Sequence, residues 1–141
     1  MEFRRRRRLL ILVLLLDASA SHSRSPSNWA ECGGGPQARR VRTNAGFDMA
    51  VYSQGDIVSN TIMRQGEWEG MVEGALKPYL TEGVALVDIG SNIGYHTFAF
   101  ARTNDVFAFE PFAKNLALQN ITRSLEVSDL SPQAIHQPNP T

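Results

Sequence analysis

The pattern of apolar and polar positions becomes informative from Phe47, where order is expected to begin. Met49-Ala50-Val51-Tyr52 suits a short strand. Ser53 or Asp56 is then placed to cap a helix whose apolar positions Ile57, Val58, Ile62 and Met63 make a one-sided stripe, and Gly66 is placed to end it. Met71, Val72, Ala75, Leu76, Tyr79 and Leu80 predict a second helix with a continuous apolar face. Pro78 should kink or end that helix near Lys77. Val84-Ala85-Leu86-Val87 is an unbroken apolar run between Gly83 and Gly90, which predicts a parallel strand buried on both faces. A helical pattern from Tyr95 to Arg102 follows, then a second buried strand, Val106-Phe107-Ala108-Phe109, and the start of another helix at Asn115, Leu116, Leu118 and Ile121. Strand, glycine loop, helix, strand is one βαβ unit from the front of a doubly wound sheet.

The candidate chemistry lies at the joint of that unit. Asp88-Ile89-Gly90-Ser91-Asn92-Ile93-Gly94 connects the strand to the helix. Gly90 and Gly94 allow a sharp turn and a close approach of backbone to ligand. The free N–H groups of the helix start suit a carboxylate or a phosphate. Glu110 follows at the end of the neighbouring strand, where an acid accepts hydrogen bonds from ribose hydroxyls. An adenosine-type cofactor satisfies both features. The dinucleotide fingerprint G-x-G-x-x-G fails, because Asn92 and Tyr95 stand where glycines are needed, and no Gly-Lys-Ser/Thr loop is present. An acid two positions before the first glycine, Asp88, suits a cofactor with a cationic amino group, such as S-adenosyl-L-methionine.

The stretch Val87-Asp88-Ile89-Gly90-Ser91-Asn92-Ile93-Gly94-Tyr95-His96-Thr97, followed by Phe107-Ala108-Phe109-Glu110-Pro111, closely resembles FkbM-type S-adenosylmethionine-dependent methyltransferases. Asp56-Ile57-Val58-Ser59 to Gly66-Glu67-Trp68-Glu69 is similar to the segment before the core in the same family. The resemblance covers residues 47–120. It implies a Rossmann-like α/β methyltransferase core and O-methyl transfer to a sugar or other small-molecule hydroxyl. It also implies that Asp88, Gly90, Ser91, Asn92, Gly94 and Tyr95 line the cofactor and that Glu110 holds its ribose. Plainer roles stand beside these. Asp88 can cap a helix, Asn92 can serve a left-handed backbone, His96 can be a packed histidine, and Asn115 a helix-face residue. Glu67, Trp68 and Glu69 suit a lid or packing role. No catalytic residue is assigned, since methyl transfer from a sulfonium depends largely on alignment of donor and acceptor.

Composition and charge sharpen the boundaries. The 141 residues allow one domain, and a single cysteine, Cys32, excludes a disulfide framework and a multi-cysteine metal site. Residues 1–42 carry nine arginines against three acids, whereas residues 43–141 carry five basic residues against eleven acidic ones. The acidic part excludes a nucleic-acid partner that needs a basic face. Arg4 to Arg8, the apolar run Leu9 to Leu16 and Ala18-Ser19-Ala20 have the form of a secretory signal peptide over residues 1–20. An organelle transit segment is the alternative. The apolar run is too short for a stable membrane span. Residues 21–42, rich in serine and glycine, read as a disordered linker, residues 43–124 as a partial methyltransferase domain and residues 125–141 as a disordered tail.

The resemblance ends near Asn120, so the expected core is truncated after its second strand and the helix that follows. The expected consequences are a fragment of the fold, inactive or weakly active, with little or no affinity for S-adenosylmethionine. Self-association through an exposed sheet edge is expected too. A non-catalytic interaction module and another nucleotide-binding βαβ protein are the alternatives.

Overall fold

The computed structural model describes residues 8–13, 37–126 and 135–136. Ala18-Ser19-Ala20, Trp29 and Cys32 lie outside the described residues, as does most of the proposed linker and tail. Among the described residues the fold is mixed α/β, with one four-stranded sheet, one two-stranded sheet and four α-helices. In chain order the elements are β1 (Arg8–Val13), β2 (Ala38–Arg42), β3 (Asp48–Tyr52), α1 (Ile57–Gln65), α2 (Gly70–Leu76), a 3-10 turn (Lys77–Tyr79), β4 (Val84–Ile89), α3 (Tyr95–Ala101), β5 (Asp105–Phe109), α4 (Ala113–Leu125) and β6 (Ile135–His136). The larger sheet has the order β1-β4-β5-β6, and every pair in it is parallel.

Local chemistry accounts for the helix boundaries. Asp56 is the N-cap of α1, its carboxylate accepting from the Ser59 N–H at 2.7 Å. Gly66 ends the helix in the left-handed region (φ 75°) and returns its N–H to the Ile62 carbonyl at 2.8 Å. Helix α2 stops at Leu76, just before the turn that contains Pro78. Its expected apolar face does not form as a continuous stripe. No α2 residue is buried and Met71 is 89% exposed, while only Leu76 and Leu80 of that pattern pack partly on the core. Two turns of helix are too few to carry a stripe of six positions along a core.

One core joins both sheets. Phe47, Met49 and Val51 from the β3 region meet Val58 and Ile62 of α1, Leu86, Ile93, Phe98, Val106 and Leu118, all almost fully buried. Strand β3 pairs with β2 on one side only, and helix side chains close its other edge. The Asp48, Ala50 and Tyr52 N–H groups donate to Glu126 Oε1 (2.7 Å), Thr122 Oγ1 (3.0 Å) and Ser59 Oγ (3.1 Å). These bonds satisfy N–H groups that would otherwise invite another strand.

Three differences from the sequence reading concern strands. Residues 38–42, placed in the linker by composition, form β2 and pair antiparallel with β3. Residues 135–136, placed in the tail, add a further parallel strand beside β5, so the sheet does not stop after its second strand and helix. Residues 8–13, placed in the leader, pair with β4. Both edges of β4 are therefore occupied, and it is not the open edge expected from a two-stranded fragment. Among the described residues, no helix is long and apolar enough to cross a membrane.

Candidate functional site

Strands β4 and β5 lie side by side in parallel register, with Asp88 opposite Ala108 and Ile89 opposite Phe109. Asp88 and Glu110 therefore emerge at the same end of the sheet, on either side of the loop that leads into α3. The Gly90 and Ser91 N–H groups both donate to the Phe109 carbonyl, at 2.9 and 3.1 Å, which ties the loop to the end of β5. Three of its five residues have left-handed backbone: Gly90 (φ 81°), Asn92 (φ 52°) and Gly94 (φ 93°). Asparagine tolerates that region better than most side chains, which accounts for residue 92.

The two acids have unlike surroundings. Asp88 is completely buried. Its Oδ2 accepts from Thr97 Oγ1 at 2.5 Å, and its Oδ1 has no hydrogen-bond partner among the described residues. Burial pushes its pKa up to about 6, against the opposing effect of the Thr97 hydroxyl and with a further push from Glu110. Glu110 is half-buried and well bonded. Its Oε2 accepts from the Asn92 N–H at 2.8 Å, and its Oε1 accepts from the Phe112 N–H at 2.9 Å and from Asn115 Nδ2 at 3.3 Å. A carboxylate offers about four lone-pair positions, so donors among the described residues occupy three and Oε2 retains one.

Other residues complete the site without having been singled out in the sequence. Gln119 of α4 is 1% exposed and donates from Nε2 to the Asn92 carbonyl (2.6 Å) and to Ser91 Oγ (3.0 Å). Its signal is a polar residue beside Leu118 on the helix face that meets the core. Tyr52 donates from its hydroxyl to Asn115 Oδ1 at 2.9 Å, so Asn115 links β3 to Glu110. Burial, then Asp56 and Glu110, push the Tyr52 pKa up to about 12.

Gly94 plays a different part from the one its position suggests. A Cβ there would lie 2.9 Å from Phe98 Cε2 and 3.0 Å from Gln119 Cγ. The close approach that requires glycine is therefore to the protein's own side chains. Tyr95 is buried against Phe47, with ring centroids 5.8 Å apart, and burial followed by Glu73 raises its pKa. His96 is 3% exposed, lies against Tyr95 and Phe100, and has no hydrogen bond on either ring nitrogen among the described residues. Its Nε2 is 3.7 Å from Glu69 Oε2, and burial pushes its pKa down to about 4. Glu69 itself has left-handed backbone (φ 47°) at the start of α2.

The structure thus brings Asp88, Gly90, Ser91, Asn92 and Glu110 around one loop and turns Gly94, Tyr95 and His96 toward the interior. Ile89, Phe109 and Phe112, beside Glu110 in the chain or across the register, are 42%, 43% and 68% exposed. The loop therefore presents a hydroxyl acceptor, Glu110, flanked by apolar surface, above a buried acid with one unpartnered oxygen among the described residues. Among the described residues, no group of three or more histidine, cysteine or acidic side chains is placed to hold a metal ion. The chain matches no protein-family model, no curated protein and no solved structure.

Proposed function

We propose that residues 84–119 form the cofactor-binding front of an S-adenosyl-L-methionine-dependent O-methyltransferase of the FkbM type, on a Rossmann-like sheet. The observation that carries this reading is the placement of Asp88 and Glu110 at adjacent parallel strand ends, across a loop of three left-handed residues. S-adenosylmethionine supplies a methyl group on a sulfonium, together with an amino group, a ribose diol and an adenine ring. The Asp88 carboxyl, buried beneath the loop, would answer the positive charge through its field and not by contact. Glu110 would take a ribose hydroxyl on its remaining Oε2 position, and Ile89, Phe109 and Phe112 offer apolar surface for the ring. The acceptor class is a sugar or other small-molecule hydroxyl. The role of these residues is to bind and orient the donor, the larger part of catalysis for a reaction governed by alignment.

The test is an amide-resolved NMR titration of the full chain with S-adenosylmethionine, with NAD and ATP as comparisons. Weak, saturable shifts at Gly90 to Asn92 and Glu110, seen with S-adenosylmethionine alone, support the reading. No response at millimolar ligand sinks it, and a response to ATP or NAD instead moves the site to another nucleotide. A second reading, a non-catalytic interaction module, is favoured by α2, where Met71 (89% exposed) and nearby Tyr79 (65%) present apolar groups to solvent. Concentration-dependent elution in size-exclusion chromatography, abolished by Met71→Lys, would support it.

A further inference from the structure

Strand β4 has two parallel neighbours, and one comes from the leader. Arg8 to Val13 run beside Val84 to Ile89 in unbroken register, from Arg8 opposite Val84 to Val13 opposite Ile89. The pairing on the other side, with β5, covers Ala85 to Ile89. In composition β4 is an interior strand, with an apolar run and no charge before Asp88. A parallel strand of that kind needs a neighbour on each edge, because each edge presents its own N–H and C=O groups. Among the described strands, β5 and β6 both lie on one side of β4, and β2 and β3 form the separate sheet. The other side is taken by the apolar segment at the start of the chain.

Residues 8–13 cannot be cut away and also stay paired with β4. As the apolar region of a secretory signal, residues 9–16 would be held by the export machinery and then cut away after Ala20. As β1, residues 8–13 are held by β4. We propose that the leader is captured in cis by the β4 edge and retained in the folded protein as the outer strand of the sheet. The edge of β4 is thus a strand-accepting surface whose occupant is this chain's own segment 8–13. Loss of the leader would open that edge, and a second copy of the chain would become its partner.

Hydrogen–deuterium exchange on the full chain tests this directly. Amides of residues 8–13 should exchange at least tenfold more slowly than an unstructured peptide of the same sequence. Exchange at the unstructured rate overturns the proposal without recourse to any variant. A combined Leu10→Pro and Ile11→Pro substitution removes an N–H from both alternating positions, so whichever faces β4 is lost. Amides of residues 84–89 should then exchange at least tenfold faster, while those of α1 are unchanged. Unchanged exchange in β4 overturns the proposal. If the variant unfolds throughout, the wild-type protection of residues 8–13 decides. Mass spectrometry of the native protein supplies an independent arm: an N-terminus that retains residues 8–13 supports retention, and one that begins near Ser21 overturns it.

Discussion

The two strand ends at the candidate site carry the same chemical group under opposite conditions. At the end of β4, Asp88 is fully buried, has one bond to Thr97 and leaves Oδ1 unpartnered among the described residues. At the end of β5, Glu110 is half-buried and three donors hold it, from Asn92, Phe112 and Asn115. An ionised carboxylate is costly to bury and cheap to keep when donors surround it. Asp88 is therefore a group that the fold tolerates at a cost, and Glu110 is one that the fold uses to clasp its loop. A site whose only task was to hold the loop would need Glu110 alone. Asp88 carries that cost while tying β4 to α3 through Thr97.

The largest expected effect removes the loop that both acids share. Gly94→Val forces a branched side chain onto a φ of 93° and into Phe98 and Gln119. We expect a loss on the order of 3 kcal/mol or more, enough to abolish cooperative thermal unfolding in a chain this small. Loss of ligand binding in that variant would report on folding and not on contact with the ligand. A cooperative transition within a few degrees of wild type would show that the loop is not a rigid frame for the acids.

The next effect separates Asp88 from Glu110. Its folded pKa of about 6 lies above its ordinary 3.8, so protonated Asp88 favours the fold. That contribution is complete below pH 3.8 and is lost as pH rises to about 6. His96 has the opposite sign. Its folded pKa of about 4 lies below its ordinary 6.5, so its contribution is complete above pH 6.5 and is lost as pH falls to about 4. Each amounts to about 3 kcal/mol across its range, and the two nearly cancel in the wild-type protein. Asp88→Asn should raise stability above pH 6 by about 1–3 kcal/mol and leave a profile that climbs from pH 4 to 6.5. His96→Phe, which preserves ring packing on Phe100, should leave a profile that falls from pH 3.8 to about 6. Denaturant melts at several pH values measure both. Parallel profiles in the two variants would remove the contrast. Asp88→Asn should also weaken S-adenosylmethionine binding although it stabilises the fold.

Much of this site was legible because its signals are local. Gly90, Asn92 and Gly94 mark a strand-to-helix turn, and Asp56, Gly66 and Pro78 mark helix ends, each through its own backbone preference. The spacing from Asp88 to Glu110 places two acids at neighbouring strand ends. What escaped is non-local. Strand β2, Ala38–Arg42, is exposed along almost its whole length and shows no alternation to read. The pairing of β1 with β4 joins segments about seventy residues apart, and an apolar run beside five arginines carries a competing signal for export. Gln119 and Asn115 matter through partners on other elements. Gly94 was legible as an obligatory glycine, but the atoms that make it so, in Phe98 and Gln119, are set by packing.

A smaller effect is expected at the clasp. Glu110→Gln keeps the shape but places an NH2 where one oxygen accepts, so either the Asn92 or the Phe112 N–H meets a donor. We expect a loss of about 1–2 kcal/mol in stability. S-adenosylmethionine binding should weaken at least tenfold, because loop geometry and the hydroxyl acceptor change together. An unchanged melt with unchanged binding would reduce Glu110 to a surface acid.

The smallest effect probes how far the clasp depends on what stands behind it. The Asn115 NH2 faces Glu110 Oε1 and the Asn115 oxygen faces Tyr52. The Tyr52 hydroxyl is then a donor, at 2.9 Å. Tyr52→Phe deletes that donor and leaves the half-buried Asn115 oxygen without it. The expected loss is about 0.5–1.5 kcal/mol. The bond from Asn115 to Glu110 is 3.3 Å, the longest of the three on that carboxylate, while the Asn92 and Phe112 N–H groups hold it at 2.8 and 2.9 Å. Glu110 should therefore keep its position, and S-adenosylmethionine affinity should change less than threefold. A drop as large as that of Glu110→Gln would mean that backbone donors do not suffice to hold the clasp, and that β3 and α4 orient it through Asn115.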